Sequence, residues 1–160
     1  MPKITLICVG KTKEDYQRKI VEEYKKRLSR FVDLELIETN DLKIPDKLSE
    51  NEREQILNAE GKEVICKIPK GSYIFVLDVN GKELDSLSFA SKIEDIYLSS
   101  KNHLTFIIGG SLGISKEVIA LSDYRLSLSK MTFTHLMTRE ILLEQLYRAM
   151  KINHGEKYHK

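Results

Sequence analysis

The chain has 160 residues, 41% apolar and 31% charged, a balance that excludes a disordered protein and supplies enough apolar material for a real core. Lysine and arginine (26) nearly cancel aspartate and glutamate (24), leaving a formal charge of +2, so net charge alone does not argue for nucleic acid. No apolar run approaches membrane-spanning length and nothing resembles a signal peptide, which predicts one cytoplasmic domain over residues 1–160 with no membrane partner.

Lys3–Val9 (KITLICV) is a β-rich run ending at Gly10 and predicts a buried first strand. Over residues 13–29, Tyr16, Ile20, Tyr24 and Leu28 recur every four positions, predicting an amphipathic helix with these residues inward. Its other face carries Lys19, Lys25, Lys26, Arg27 and Arg30, read as solvated in preference to an RNA-facing patch. Residues 32–39 (VDLELIET) alternate strictly and predict a second strand, followed by a polar loop around Pro45. Ser49 with Glu52 three residues on offers a capping box for a helix to about residue 67.

A turn at residues 69–71 leads into 73–79 (YIFVLDV), the most strand-like run. Asn80-Gly81 has no matching strand after it, so it predicts an exit to a loop and not a hairpin. Asp85 or Ser86 caps a helix to about residue 100. His103, read as an edge residue, opens the strand His103–Ile108 (HLTFII), which breaks into Gly109-Gly110-Ser111-Leu112-Gly113. A short helix from Ser115 to about Leu121 and an alternating strand (Tyr124, Leu126, Leu128) follow. After a polar hinge, Thr134 caps a long helix to about Ile152. Strands alternating with helices predict an α/β fold, a mostly parallel sheet with helices on both faces. Cys8 and Cys66 sit in apolar surroundings without CxxC spacing and predict buried free thiols.

The last helix has an unusual wheel. Leu142, Leu143, Leu146, Tyr147 and Met150 share an arc with Arg139 in its middle, which points to a functional arginine or a buried ion pair. Met137 and Ile141 form a second apolar strip beside Glu144 and Arg148, so two surfaces are touched.

Ligands of open α/β sheets bind at the carboxyl ends of strands, and three such ends are chemically marked: Leu77-Asp78, Gly109 to Gly113, and Leu128 to Phe133. Gly-Gly-x-x-Gly is neither GxGxxG nor a Walker sequence, which removes the main support for dinucleotide or P-loop readings. His135, in the first turn of the last helix, is a possible ligand contact, but no histidine pair has metal spacing, so no metal is expected. Nothing suggests covalent catalysis. Taken alone, Glu144 and Arg148 are an i,i+4 salt bridge worth about 0.3–0.5 kcal/mol. Gly155 breaks the helix, so the tail from Glu156 onward should be loosely held and add little stability.

Resemblance adds to this reading. FIIGGSLGISKEV, LSLSKMTFTH and LLEQLYRAMKINHGEKYHK resemble the RlmH family, SPOUT-class methyltransferases acting on a pseudouridine of 23S ribosomal RNA. KITLICVGKTKEDY and YIFVLDVNGKEL extend the likeness over essentially the whole chain. The resemblance implies a parallel sheet whose C-terminal segment forms a deep trefoil knot, which no pattern argument would propose. It also implies a homodimer, S-adenosylmethionine held by Leu77, Gly109, Leu128, Ser129, Lys130, Met131, Thr132 and Phe133, and an active site of Glu144, Arg148, Tyr158 and His159. The acceptor it implies is N3 of a pseudouridine on the assembled ribosome. Two departures stand out: Thr134 where the family usually has proline, and Glu140 where it usually has an apolar residue. The alternatives are a SPOUT methyltransferase for another RNA nucleotide and a non-catalytic ribosome-binding factor of the same fold.

Overall fold

The computed structural model describes all 160 residues. Strands and helices alternate as β1 (Lys3–Val9), α1 (Asp15–Leu28), β2 (Asp33–Thr39), α2 (Glu50–Ile65), β3 (Tyr73–Glu83), α3 (Ser86–Leu98), β4 (His103–Ile108), α4 (Lys116–Leu121), β5 (Tyr124–Ser127) and α5 (His135–Asn153). The five strands form one parallel sheet in the order β2-β1-β4-β3-β5. Successive side chains leave a strand on opposite faces, and both faces here are apolar. Ile4, Leu6 and Cys8 of β1, Leu104, Phe106 and Ile108 of β4, and Phe75 of β3 pack against α1, α3 and α5. Ile7, Val9, Ile107 and Val76 point the other way, against α2 and α4. Phe75 and Phe106 stack across neighbouring strands at 4.6 Å between ring centroids, adding to the burial of two of the largest core side chains.

Helix starts follow the sequence closely. Ser49 accepts from the Glu52 amide as the expected cap, and its hydroxyl donates to the Glu52 carboxylate in place of the backbone bond that would close a capping box. Asp85, Ser115 and Thr134 cap α3, α4 and α5 in the same manner.

Four expectations need correction. The inward residues of α1 are Gln17, Val21 and Leu28 with Tyr24 packed beside them, while Tyr16 is 63% and Ile20 37% exposed. A strict four-residue repeat drifts by about 40° per step on a helix of 3.6 residues per turn, so only its C-terminal half tracks the core. Secondly, β3 does not leave the sheet at Asn80-Gly81. After an irregularity it resumes pairing with β5, Lys82 opposite Leu126 and Glu83 opposite Ser127. A Cβ at Gly81 would lie 2.4 Å from the Arg125 carbonyl oxygen, so glycine serves close strand approach here and not a turn. Thirdly, His103 starts a central strand and hydrogen-bonds Thr5 of β1 at 2.8 Å. Finally, Cys66 is exposed just after α2. Only Cys8 is buried, where burial pushes its thiol up to about 12 against the pull of Arg139.

Candidate active site

Because every strand is parallel, all carboxyl ends lie at one edge, and those of β3, β4 and β5 open onto a cleft of about 690 Å³. Leu77 to Asn80 form one wall, Gly109, Gly110, Ser111, Gly113 and Ile114 a second, and the segment after β5 a third. The first turn of α5 closes it with His135 and Thr138. The β4 exit is crowded: a Cβ at Gly109 would meet the Gly113 carbonyl oxygen at 2.4 Å, so only glycine lets the chain turn there. Ser127 donates to the Ser129 carbonyl at 2.9 Å, and Ser129 Oγ accepts from the Met131 amide at 3.0 Å, shaping the turn after β5. On the outer wall Arg125 holds Asp78 through two donors.

Seven of the eight positions implied as cofactor contacts line this cleft: Leu77, Gly109, Leu128, Ser129, Met131, Thr132 and Phe133. Lys130 does not; it points outward and is exposed. Residues that sequence reasoning missed are Arg125, Ile114 and Thr138. Thr138 was recoverable, since it follows His135 by three residues and so shares its side of α5. Burial, with Arg139 adding to it and Asp41 opposing, holds the His135 ring below the usual histidine range, so the cleft faces a neutral imidazole at neutral pH.

Arg139 underlies that wall. Its guanidinium is 1% exposed and bonds Glu38 and the Thr12 hydroxyl, each at 2.5 Å, and the Gly10 carbonyl at 3.2 Å. Glu38 also accepts from the Thr12 amide at 2.7 Å. Burial would raise the Glu38 carboxyl, but the Thr12 and Arg139 donors outweigh it and hold it below the usual range. The start of α5 is thereby tied to the ends of β1 and β2, the buried-pair outcome for this arginine.

The four implied catalytic residues also converge, but elsewhere. Glu144 Oε1 accepts from Arg148 at 2.6 Å and from the Tyr158 hydroxyl at 3.2 Å, and Arg148 donates to His159 Nδ1 at 3.2 Å. The Arg148 guanidinium sits 4.7 Å above the Tyr158 ring, which meets Tyr147 edge-on at 5.0 Å. Hydrogen bonding from Glu144 raises Arg148 further; burial, then Glu144, pushes the Tyr158 phenol up. The tail is therefore docked, contrary to the expectation of a loose end: Glu156 also bridges Arg30, in the turn after α1, and Lys151 of α5. None of these four residues lines the cleft. At 1.5 Å per residue, Glu144 lies roughly 9 Å and Arg148 roughly 15 Å along α5 from Thr138, and both sit on the outer face with the half-exposed Met137. No group of three histidine, cysteine or acidic side chains could hold a metal ion, and no helix is long and apolar enough to cross a membrane.

A family model described as predicted SPOUT methyltransferase matches residues 2–159. The chain belongs to the SPOUT methyltransferase family. Proteins named ribosomal RNA large subunit methyltransferase H share 49% identity over 158 residues in Acetivibrio thermocellus, with 99% of both chains covered. The Clostridioides difficile protein of that name shares 50% over 157 residues, covering 98% of this chain and 99% of its own. A solved probable methylase family protein from Haemophilus influenzae has the same fold at 12% identity and TM-score 0.51, over 99% of this chain and 70% of that one.

The two positions at which the resemblance implies another residue, Thr134 and Glu140, are legible locally. Thr134 accepts from the Met137 amide at 3.2 Å, replacing by a cap what proline would give by a preset backbone angle. Glu140 is half-buried with Oε1 unpartnered, and burial pushes it up against the pull of Arg139.

Proposed function

We propose that this protein methylates N3 of a pseudouridine in 23S ribosomal RNA on the assembled ribosome, using S-adenosylmethionine, as a single-domain homodimer with a C-terminal trefoil knot. What carries the reading is the cleft at the ends of β3, β4 and β5 in a chain about half identical to ribosomal RNA methyltransferases over nearly its whole length. The cleft suits S-adenosylmethionine. None of the backbone-to-backbone hydrogen bonds outside helices and strands involves residues 128–133, so apart from the Ser129 carbonyl and the Met131 amide, which bond side chains, that segment keeps donors and acceptors for a polar ligand. Ile108, Ile114 and Leu128 give it apolar walls.

When bound, S-adenosylmethionine supplies an electrophilic methyl group on a sulfonium. The protein's own part is alignment and proton removal. Arg148 orients the nucleobase and balances the charge left when the ring nitrogen loses its proton. A guanidinium only donates, so His159 Nδ1 is the unprotonated ring nitrogen. It becomes free to take the proton when Arg148 turns to the base. Tyr158, kept protonated by burial and by Glu144, offers a stacking ring to an unpaired base. Within one protomer none of these groups lines the cleft, and the partner's tail completes each site. That requirement explains the exposed Met137 strip on the same face.

Mass spectrometry of ribosomal RNA, from ribosomes incubated with this protein and labelled S-adenosylmethionine, tests the proposal. Label on one pseudouridine of the large-subunit RNA is the expected result. Label on another nucleotide would assign a different acceptor, and no label would leave a non-catalytic ribosome-binding factor.

A further inference from the structure

We infer that Gln145 is a positioning residue that holds the Glu144 carboxylate in its working orientation, and that Ser86 acts through it. The inference rests on the reading of Glu144, Arg148, Tyr158 and His159 as the reacting group. Glu144 Oε1 is fully engaged by Arg148 Nη2 at 2.6 Å, Arg148 Nε at 3.1 Å and the Tyr158 hydroxyl at 3.2 Å. Arg148 Nε reaches Oε2 only at 3.5 Å, whereas Gln145 Nε2 donates to it at 2.9 Å. Gln145 therefore fixes the rotation of the carboxylate, and with it the common point on which Arg148 and Tyr158 meet.

Neighbouring residues on a helix diverge by about 100°, so Gln145 leaves α5 toward α3 and must be held to reach back to Glu144. Ser86 does this by donating to Gln145 Oε1 at 2.7 Å. The amide has no choice of direction. A carboxylate only accepts, so the amide nitrogen faces Glu144 and its oxygen faces the hydroxyl. Ser86 is the first residue of α3, directly after the Asp85 cap that accepts from the Ser88 amide at 2.7 Å. Its hydroxyl is thus mounted on the start of a rigid element. Packing α5 onto α3 does not need this chain of bonds: Phe89, Ala90 and Ile93 are buried between them, and Asn153 donates to the Ala90 carbonyl at 3.0 Å. Ser86 and Gln145 also face a groove of about 320 Å³ walled by Leu128, which lines the cleft on its other side.

The test is a cycle of Gln145→Met, Ser86→Ala and the double variant, assayed by single-turnover and steady-state methylation of ribosomes. Loss of one hydrogen bond to a charged group should lower kcat about tenfold or more in Gln145→Met, with KM for S-adenosylmethionine and melting temperature near the parent's. Ser86→Ala should lower kcat less, and the double variant should be no slower than Gln145→Met alone. Without turnover, the NMR resonance of the Arg148 Nε–H should shift in both single variants. Ser86→Ala, a small change at a half-buried hydroxyl, keeps the test open should Gln145→Met fail to fold. Turnover within twofold of the parent, or effects that simply add and follow stability, would overturn the inference. Glu144→Gln separates the two readings: normal turnover there removes the catalytic assignment itself, whereas an inactive Glu144→Gln beside an active Gln145→Met removes only the positioning role.

Discussion

At Arg139 a charge is taken out of water in the middle of an apolar helix face, and three oxygen partners, on Glu38, Thr12 and Gly10, replace its hydration. One partner, Glu38, remains 29% exposed on its side chain, so the pair is anchored at the sheet edge and not sealed in the core. Breaking a buried pair by removing one member typically costs about 3–5 kcal/mol, chiefly because the other charge loses its compensation. Partial exposure of Glu38 argues for the low end here, roughly 3 kcal/mol for Arg139→Ala in urea unfolding. Part should return in Arg139→Ala combined with Glu38→Gln, which removes the stranded charge. Acid has a defined sign as well. Burial raises Glu38, the Thr12 and Arg139 donors outweigh it, and the folded carboxyl titrates below its unfolded value. Its contribution is therefore complete above the ordinary glutamate range and lost as pH falls through the depressed folded value. Urea midpoints of the parent should drop across that window more steeply than those of Glu38→Gln; parallel curves would show that Glu38 is not held as described.

Helix α5 and its tail show how an element reading can be right in type and incomplete in placement. The wheel placed Leu142, Leu143, Leu146 and Met150 in the core and left Met137 outside, because these depend only on local periodicity. Docking of the tail was invisible for the opposite reason: Tyr158 on Tyr147 and Glu156 on Arg30 need three elements to come together first. The pairing of β3 with β5 past Gly81 was missed likewise, since register between distant segments decides it. The cleft was marked in sequence as three strand ends, at Leu77-Asp78, Gly109 to Gly113 and Leu128 to Phe133; family motifs, not spacing, named the ligand they would hold. Since the tail contacts are few and half-exposed, removing Tyr158, His159 and Lys160 should cost only about 1 kcal/mol, the worth of one aromatic contact. Cofactor affinity measured by calorimetry should be unchanged, while methyl transfer to ribosomes is abolished. A truncated protein that methylates at the full-length rate would make the tail a structural clasp and nothing more.

At the scale of the whole molecule, the decisive fact is that the cleft and the Glu144 cluster occupy different stretches of one rigid helix. Within a protomer α5 turns its first turn to the cleft and carries Arg148 roughly 15 Å further along the axis, so the helix itself does not bring Arg148 beside the ligand. A twofold partner can do so, because an isologous interface places the same face of each copy against the other. Complementation distinguishes this arrangement from any site completed within one chain. Gly109→Val, whose side chain collides with the Gly113 backbone, disables the cleft, and Arg148→Ala disables the tail cluster; each homodimer should be inactive. In a mixed dimer one site combines both defects, while the other joins an intact cleft to an intact cluster and works. Random mixing makes half the dimers mixed, each with one of two sites working, so activity should return to about one quarter of the parent's. If light scattering reports dimers and the mixture stays inactive, each site belongs to one chain. If it reports monomers at micromolar concentration, the exposed Met137 strip serves some other contact and the shared site falls with the dimer.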